Sequence, residues 1–144
     1  MRFLLDTSAL IAHSRQEPGW ERVHELLATE DSEVLAASLS LTELARRLCE
    51  LGATDEEARR TAEGYQELLD EIVPIDEWVA LSAFDLGRQT PKRIPLVDAL
   101  IAAAARELDA CLVHRDGHMA QIPAHLVEQI NLAGEPVSET PKEA

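Results

Sequence analysis

The feature that most constrains this chain is a recurrence: short apolar runs, each closed by a polar turn and followed by residues with helical spacing. Phe3 to Leu5 ends at Asp6-Thr7-Ser8, which suits a buried strand and a turn that caps the next helix. Val34-Leu35-Ala36-Ala37 before Ser38, Cys111-Leu112-Val113, and Leu126 to Ile130 read as further strands, and Ile72-Val73-Pro74-Ile75 as a short or edge strand because of its proline. Helical spacing links Trp20, Val23, Leu26 and Leu27. Ser40 and Glu43 have capping-box spacing, with Leu44, Leu48 and Leu51 following until Gly52; Thr54 and Glu57 open a second helix to about Asp70. Trp78 to Gly87 and Leu96 to Leu108 complete the helices, the latter with Pro95 at its first position and the tract Ala102-Ala103-Ala104-Ala105, which permits close packing. Strands alternating with helices predict an α/β fold: a central, mostly parallel sheet flanked by helices.

At 144 residues the chain is one domain, expected over residues 1–131, with a flexible tail over 132–144 rich in Pro, Glu and Ser. It holds 27 acids against 13 Lys and Arg, a formal charge of −14, which excludes a protein that grips nucleic acid by bulk charge. Aromatics at 3% exclude a binder built on stacking platforms. Any polyanion must therefore be held locally. Residues 50–77 carry ten acids against Arg59 and Arg60 and read as a solvated or partner-facing surface. The basic cluster is Arg88, Lys92 and Arg93, in a loop with Pro91 and Pro95. Cys49 and Cys111 have no CxxC spacing and read as two buried thiols in a reducing compartment. The first apolar run is broken by Asp6, far short of a signal segment, and no later run spans a membrane, so the expectation is a cytoplasmic protein.

Asp6, Glu43, Asp98 and Asp116 are the candidate chemical residues. Each has a plain structural alternative: Asp6 as a helix cap, Glu43 as the capping partner of Ser40, Asp98 as a complement to a helix dipole, Asp116 as the start of an Asp-Gly turn. Their placement argues for more. Asp6 and Asp116 directly follow strand candidates, while Glu43 and Asp98 fall in the first turn of helices expected to begin at the same sheet edge, where open parallel sheets bind ligands. Converging carboxylates repel unless some take up protons or a hard cation neutralises them, so the set calls for Mg²⁺ or Mn²⁺. Divalent ions lower the pKa of water and stabilise a phosphoryl transition state, which makes phosphodiester hydrolysis the natural reaction. No Ser-His-Asp or Cys-His spacing and no Gly-rich phosphate loop competes.

Leu4-Leu5-Asp6-Thr7-Ser8-Ala9-Leu10, Leu41-Thr42-Glu43-Leu44 and Leu96-Val97-Asp98-Ala99-Leu100-Ile101-Ala102-Ala103-Ala104 give the chain a family likeness. It resembles the PIN-domain ribonucleases, and among them the VapC-type toxins of bacterial toxin-antitoxin pairs, over roughly residues 2–130. The resemblance implies a Rossmann-like PIN fold, a Mg²⁺-dependent endoribonuclease and a homodimer inhibited by a small antitoxin. It implies that Asp6 and Asp98 are primary metal ligands, that Glu43 and Asp116 complete the acidic pocket, and that Thr7 or Ser8 supports it by hydrogen bonds. The chain departs from the pattern at His114-Arg115-Asp116-Gly117-His118-Met119, where relatives commonly carry a hydroxyl residue, the Asp, a second acid and Phe.

Two histidines four apart, with His125 nearby, leave open a zinc site, although the intervening turn opposes it. Arg88, Lys92, Arg93 and Arg115 are the candidate contacts for RNA phosphates. The alternatives are a catalytically silent PIN-like module that binds RNA or protein, and a metal-dependent phosphatase with Asp6 as nucleophile. The second lacks an acid two residues on, where Ser8 stands.

Overall fold

A computed structural model describes residues 1–134. In chain order the elements are β1 (Arg2–Leu5), α1 (Thr7–Arg15), α2 (Trp20–Ala28), β2 (Glu33–Ala37), α3 (Ser38–Glu50), α4 (Asp55–Leu68), β3 (Glu71–Val73), α5 (Glu77–Gln89), α6 (Leu96–Glu107), β4 (Cys111–His114) and β5 (Gln129–Asn131), with one 3-10 turn at Met119–Gln121. The five strands form one sheet in the order β3-β2-β1-β4-β5, and every pairing is parallel. Short apolar strands joined through helices leave this as the economical solution, since parallel neighbours require a crossover.

Side-chain alternation along the strands divides the interior in two. Leu4, Leu35 and Leu112 stand in register and face α5 and α6; Phe3, Leu5, Val34, Ala36, Cys111 and Val113 face the layer of α1 to α4. Both sheet faces are covered, so these strands read as unbroken apolar runs. Ala102 to Ala105 are all fully buried, so α6 is enclosed on every side there, and only small side chains let it lie so close to its neighbours.

Several boundaries differ from the sequence reading, each for a local reason. Helix α3 starts at Ser38 with Ala37 as its cap, directly off β2, so Ser40 lies inside the first turn and forms no capping box; its buried hydroxyl has no partner among the described residues. The box expected at Thr54 and Glu57 is present in both directions. Pro95 occupies the cap of α6 and not its first turn. The last strand is shorter and later than Leu126 to Ile130, because Leu126 and Val127 pack into the core before pairing begins. Cys111 is buried as expected, but Cys49 is only half-buried, its thiol directed at Asp55. Order continues past residue 131: Leu132 packs against the α1–α4 layer, and its amide donates to the His114 carbonyl at 2.7 Å. The remainder of the expected tail, 135–144, lies outside the described residues.

Candidate active site

Strand β1 is the centre of the sheet: the chain winds outward from it through β2 to β3, then crosses back to β4 on the other side of β1. That makes the carboxyl end of β1 the topological switch point, where the chain opens a crevice. Asp6 is the first residue beyond β1. Its amide still donates to the Val113 carbonyl at 3.0 Å, which extends the ladder with β4 by one residue and fixes the Asp6 backbone at the rim.

Asp6 is both a helix cap and a site residue. Its Oδ1 accepts from the Ala9 amide at 2.9 Å and from the Ser8 hydroxyl at 2.6 Å, and both bonds fall on that one oxygen. The residue is only 3% exposed. Burial, reinforced by Asp116 and Asp98 and opposed by the bonds from Ser8 and Ala9, pushes its carboxyl up to about 7. Asp98, in the first turn of α6, is pushed up to about 6 by burial first and then by Asp116, with Glu43 adding a smaller repulsion and His118 opposing. Two carboxylates held this high on one rim favour a cation between them.

Glu43 reaches the same crevice from the second turn of α3, not the first, because α3 begins at Ser38. Thr7 Oγ1 donates to Glu43 Oε1, tying the start of α1 to α3. Asp116 follows β4 in a turn: its Oδ1 accepts from the amides of His118 (2.7 Å) and Met119 (3.4 Å), the expected Asx geometry. Ser8 bridges the two sides, since its oxygen also accepts from the Arg115 amide at 2.8 Å. Asp6, Thr7, Ser8, Glu43, Asp98 and Asp116 thus line a single cavity of about 350 Å³, with Ile11 and Ile101 as its apolar walls.

The two histidines of the sequence departure separate. His114 is fully buried; its Nε2–H donates to Gln129 Oε1 at 2.9 Å, and its Nδ1 accepts from the Asp116 amide at 3.2 Å. Burial lowers its pKa, which suits the neutral ring these bonds require. Both ring nitrogens are used, so His114 and His118 do not form a zinc pair; His114 instead holds the turn that carries Asp116. His118 is the reverse case, half-exposed, with Nδ1 3.5 Å from Asp116 Oδ1 and 3.7 Å from Asp98 Oδ2.

The expected basic cluster does not reach the crevice. Arg88, Lys92 and Arg93 are exposed and absent from its walls, although α6, which follows their loop, carries Asp98 into it. The cations at the rim are Arg46 and Arg47, with Arg115 on an adjoining hollow shared with Arg47 and Glu17. Arg47 pairs with Glu50 at 3.0 Å and Arg115 with Glu17 at 3.6 Å. The signal for the two α3 arginines was available: they stand three and four residues after Glu43, on its side of the helix.

A parallel sheet with four carboxylates gathered at its switch point defines the molecule as an α/β domain with an acidic crevice suited by its oxygen donors to a hard divalent ion. The chain belongs to the PIN domain family, whose pattern it matches over residues 3–124. Among curated proteins no sequence match is found. Solved structures share the fold: VapBC2 from Rickettsia felis, bound to a DNA fragment from its promoter, has 21% identity, covers 91% of this chain and 98% of its own, and superposes with a TM-score of 0.72. VapBC-1 from nontypeable Haemophilus influenzae has 20% identity over 93% of this chain and 100% of its own, with a TM-score of 0.71. VapC20 from Mycobacterium tuberculosis, a sarcin-ricin loop cleaving toxin, has 19% identity over 88% and 97%, with a TM-score of 0.66.

Proposed function

We propose that this protein is a Mg²⁺-dependent endoribonuclease that acts as the toxin of a toxin-antitoxin pair in the cytoplasm, with Mn²⁺ as a substitute ion. The observation that carries this reading is the convergence of Asp6, Glu43, Asp98 and Asp116 on one cavity at the sheet switch point of a PIN-family chain. When bound, a divalent ion supplies Lewis acidity for water and neutralises charge on the scissile phosphate. Asp6, through Oδ2, and Asp98 would be its primary holders, with Asp116 and Glu43 beside them. The chain's own residues do the rest. Ser8 and the Ala9 amide hold Asp6 in one orientation, Thr7 holds Glu43, and the His114 ring holds the turn of Asp116.

Substrate phosphates need a local grip in a chain this acidic. Arg46 and Arg47 line the cavity and Arg115 the hollow beside it, which supports them in that role, while Arg88, Lys92 and Arg93 lie outside both linings and would meet RNA only beyond them. The phosphatase alternative meets no support, since the position two residues after Asp6 holds a hydroxyl already committed to Asp6 and to the Arg115 amide.

An antitoxin segment would fit the groove between α3 and α4, whose apolar lining is Leu41, Ala45, Cys49, Ala58 and Ala62. Leu44 and Leu48 are core residues and do not line it. For the homodimer, the exposed side chains of Trp78, Leu81 and Phe84, one helical face of α5, offer an apolar surface a second copy could cover.

The test is incubation of purified full-length protein with total RNA under Mg²⁺, Mn²⁺ or chelator. Discrete metal-dependent products without 2′,3′-cyclic phosphate ends support attack by water. Cleavage that persists in chelator, or cyclic phosphate ends throughout, contradicts it.

A further inference from the structure

His118 belongs to neither the sheet nor the carboxylate set, yet its ring stands over them. Its Nδ1 lies 3.5 Å from Asp116 Oδ1 and 3.7 Å from Asp98 Oδ2. These separations exceed the usual range of about 2.7–3.2 Å for a hydrogen bond to oxygen. They approach the spacing of ligands sharing one ion: donors about 2.1–2.2 Å from a common centre stand about 3.0–3.6 Å apart across octahedral to tetrahedral angles. One donor atom from each of Asp98, Asp116 and His118 falls within 4.8 Å of the others. Asp6, 3% exposed and, among the described residues, with no hydrogen bond to its Oδ2, lines the cavity that Asp98 and Asp116 share, with His118 at its edge through its approach to both. The backbone that carries the ring is held from below, because the His118 amide donates to Asp116 Oδ1 at 2.7 Å and the turn itself is anchored by buried His114.

We propose that His118 is a further metal ligand of this site, adding an imidazole nitrogen beside Asp98 and Asp116 to the ion that Asp6 also faces, so that the protein selects Mn²⁺ over Mg²⁺. The proposal rests on the metal-site reading given above and sharpens it. Mg²⁺ demands oxygen donors in near-ideal octahedral geometry, whereas a first-row transition ion accepts an imidazole nitrogen; Mn²⁺ is the weakest of that series but still tolerates nitrogen better than Mg²⁺, so a histidine among the carboxylates shifts preference from Mg²⁺ toward Mn²⁺. A rival role exists for the same geometry. A protonated His118 would be a resident counter-ion that any arriving cation must displace. The two roles predict opposite signs: removing a ligand weakens metal binding, and removing a competing cation strengthens it.

The experiment uses the full chain, without RNA, and Mn²⁺ as probe. Binding is followed by loss of the free-Mn²⁺ EPR signal, and nitrogen coordination by ¹⁴N modulation of the bound-ion spin echo, for wild type, His118→Ala, His118→Asp and Asp98→Asn. The expected result is ¹⁴N modulation in wild type and none in His118→Ala, with Mn²⁺ affinity about tenfold lower or more, the order seen when metal-site partners are lost. His118→Asp is expected to restore binding without modulation and to narrow the Mn²⁺ over Mg²⁺ preference measured by competition. If Mn²⁺ binding depends on Asp98 but shows no ¹⁴N modulation, or is unchanged or tighter in His118→Ala, the ligand assignment is wrong while the metal site stands. If no binding depends on Asp98, the metal-site reading and this inference fall together.

Discussion

At the scale of single residues, Asp6 shows how a structural and a chemical duty share one side chain. One carboxylate oxygen caps α1 and accepts from Ser8, and the residue faces the crevice at the switch point. Its cost falls on stability. The folded-state pKa is about 7 against an ordinary 3.8, so the folded chain binds this proton more tightly than the unfolded chain does. Its contribution is therefore fully present below about pH 4 and is lost as pH rises through about 7, an effect on the order of a few kcal/mol. Asp98, raised to about 6, acts in the same direction. Asp6→Asn is expected to raise the Tm of metal-free protein at pH 8 and to flatten its decline between pH 4 and 8, while Mn²⁺ no longer raises the Tm; thermal melts across pH check this. Ser40, whose buried hydroxyl has no partner among the described residues, predicts a smaller gain: Ser40→Ala is expected to leave stability unchanged or to add about 1 kcal/mol, read by urea unfolding. The four acids were legible from the sequence because strand ends and helix starts are local signals. The roles of His114 and His118 were not, since which ring nitrogen meets Gln129 and which meets Asp98 depends on how β4 and the following turn lie against β5 and α6.

At the scale of elements, two sequences with the same spacing behave differently. Thr54-x-x-Glu57 closes a reciprocal capping box on α4, whereas Ser40-x-x-Glu43 lies inside α3 and sends its glutamate to Thr7. The cause is what precedes each motif. Gly52 and Ala53 give α4 a loop to start from, while β2 runs directly into Ser38 with no loop, so the helix has already begun when Ser40 arrives. Thr54→Ala is accordingly expected to cost about 1 kcal/mol by urea unfolding without altering metal affinity. Thr7→Val should do the reverse: stability changes little, but Glu43 loses its tie and RNA cleavage falls, measured at saturating Mg²⁺. The loop after α5 was legible as a basic cluster but not in its placement. Its three cations precede Asp98 closely in the chain, yet they do not line the cavity that Asp98 enters, whereas Arg46 and Arg47 of α3 do.

At the scale of the whole molecule, the order β3-β2-β1-β4-β5 accounts for why a chain with net charge −14 still has one place that concentrates carboxylates. Residues from the end of β1, from α3 and α6 and from the turn after β4 meet because the chain, having wound from β1 out to β3, crosses back to β4 on the other side of β1. The alternation of strands and helices made the fold class legible, but not the extent of the packed unit, because Leu132 looks like the start of a polar tail. Gly19, at φ +98, shows its importance: a Cβ there would stand 2.9 Å from the Leu132 carbonyl oxygen and side chain. Gly19→Ala is expected to destabilise by about 1–3 kcal/mol, through the left-handed backbone and the clash together, and a chemical denaturation curve measures it. The central claim is that four separated carboxylates act as one hydrolytic site. Its most direct test is RNA cleavage at saturating Mg²⁺ by Asp6→Asn, Glu43→Gln, Asp98→Asn and Asp116→Asn beside wild type, each confirmed folded by circular dichroism. The predicted result is a loss of about a hundredfold or more in every variant, the order set by one electrostatic group at a reacting centre; wild-type rates in Asp6→Asn and Asp98→Asn would contradict it.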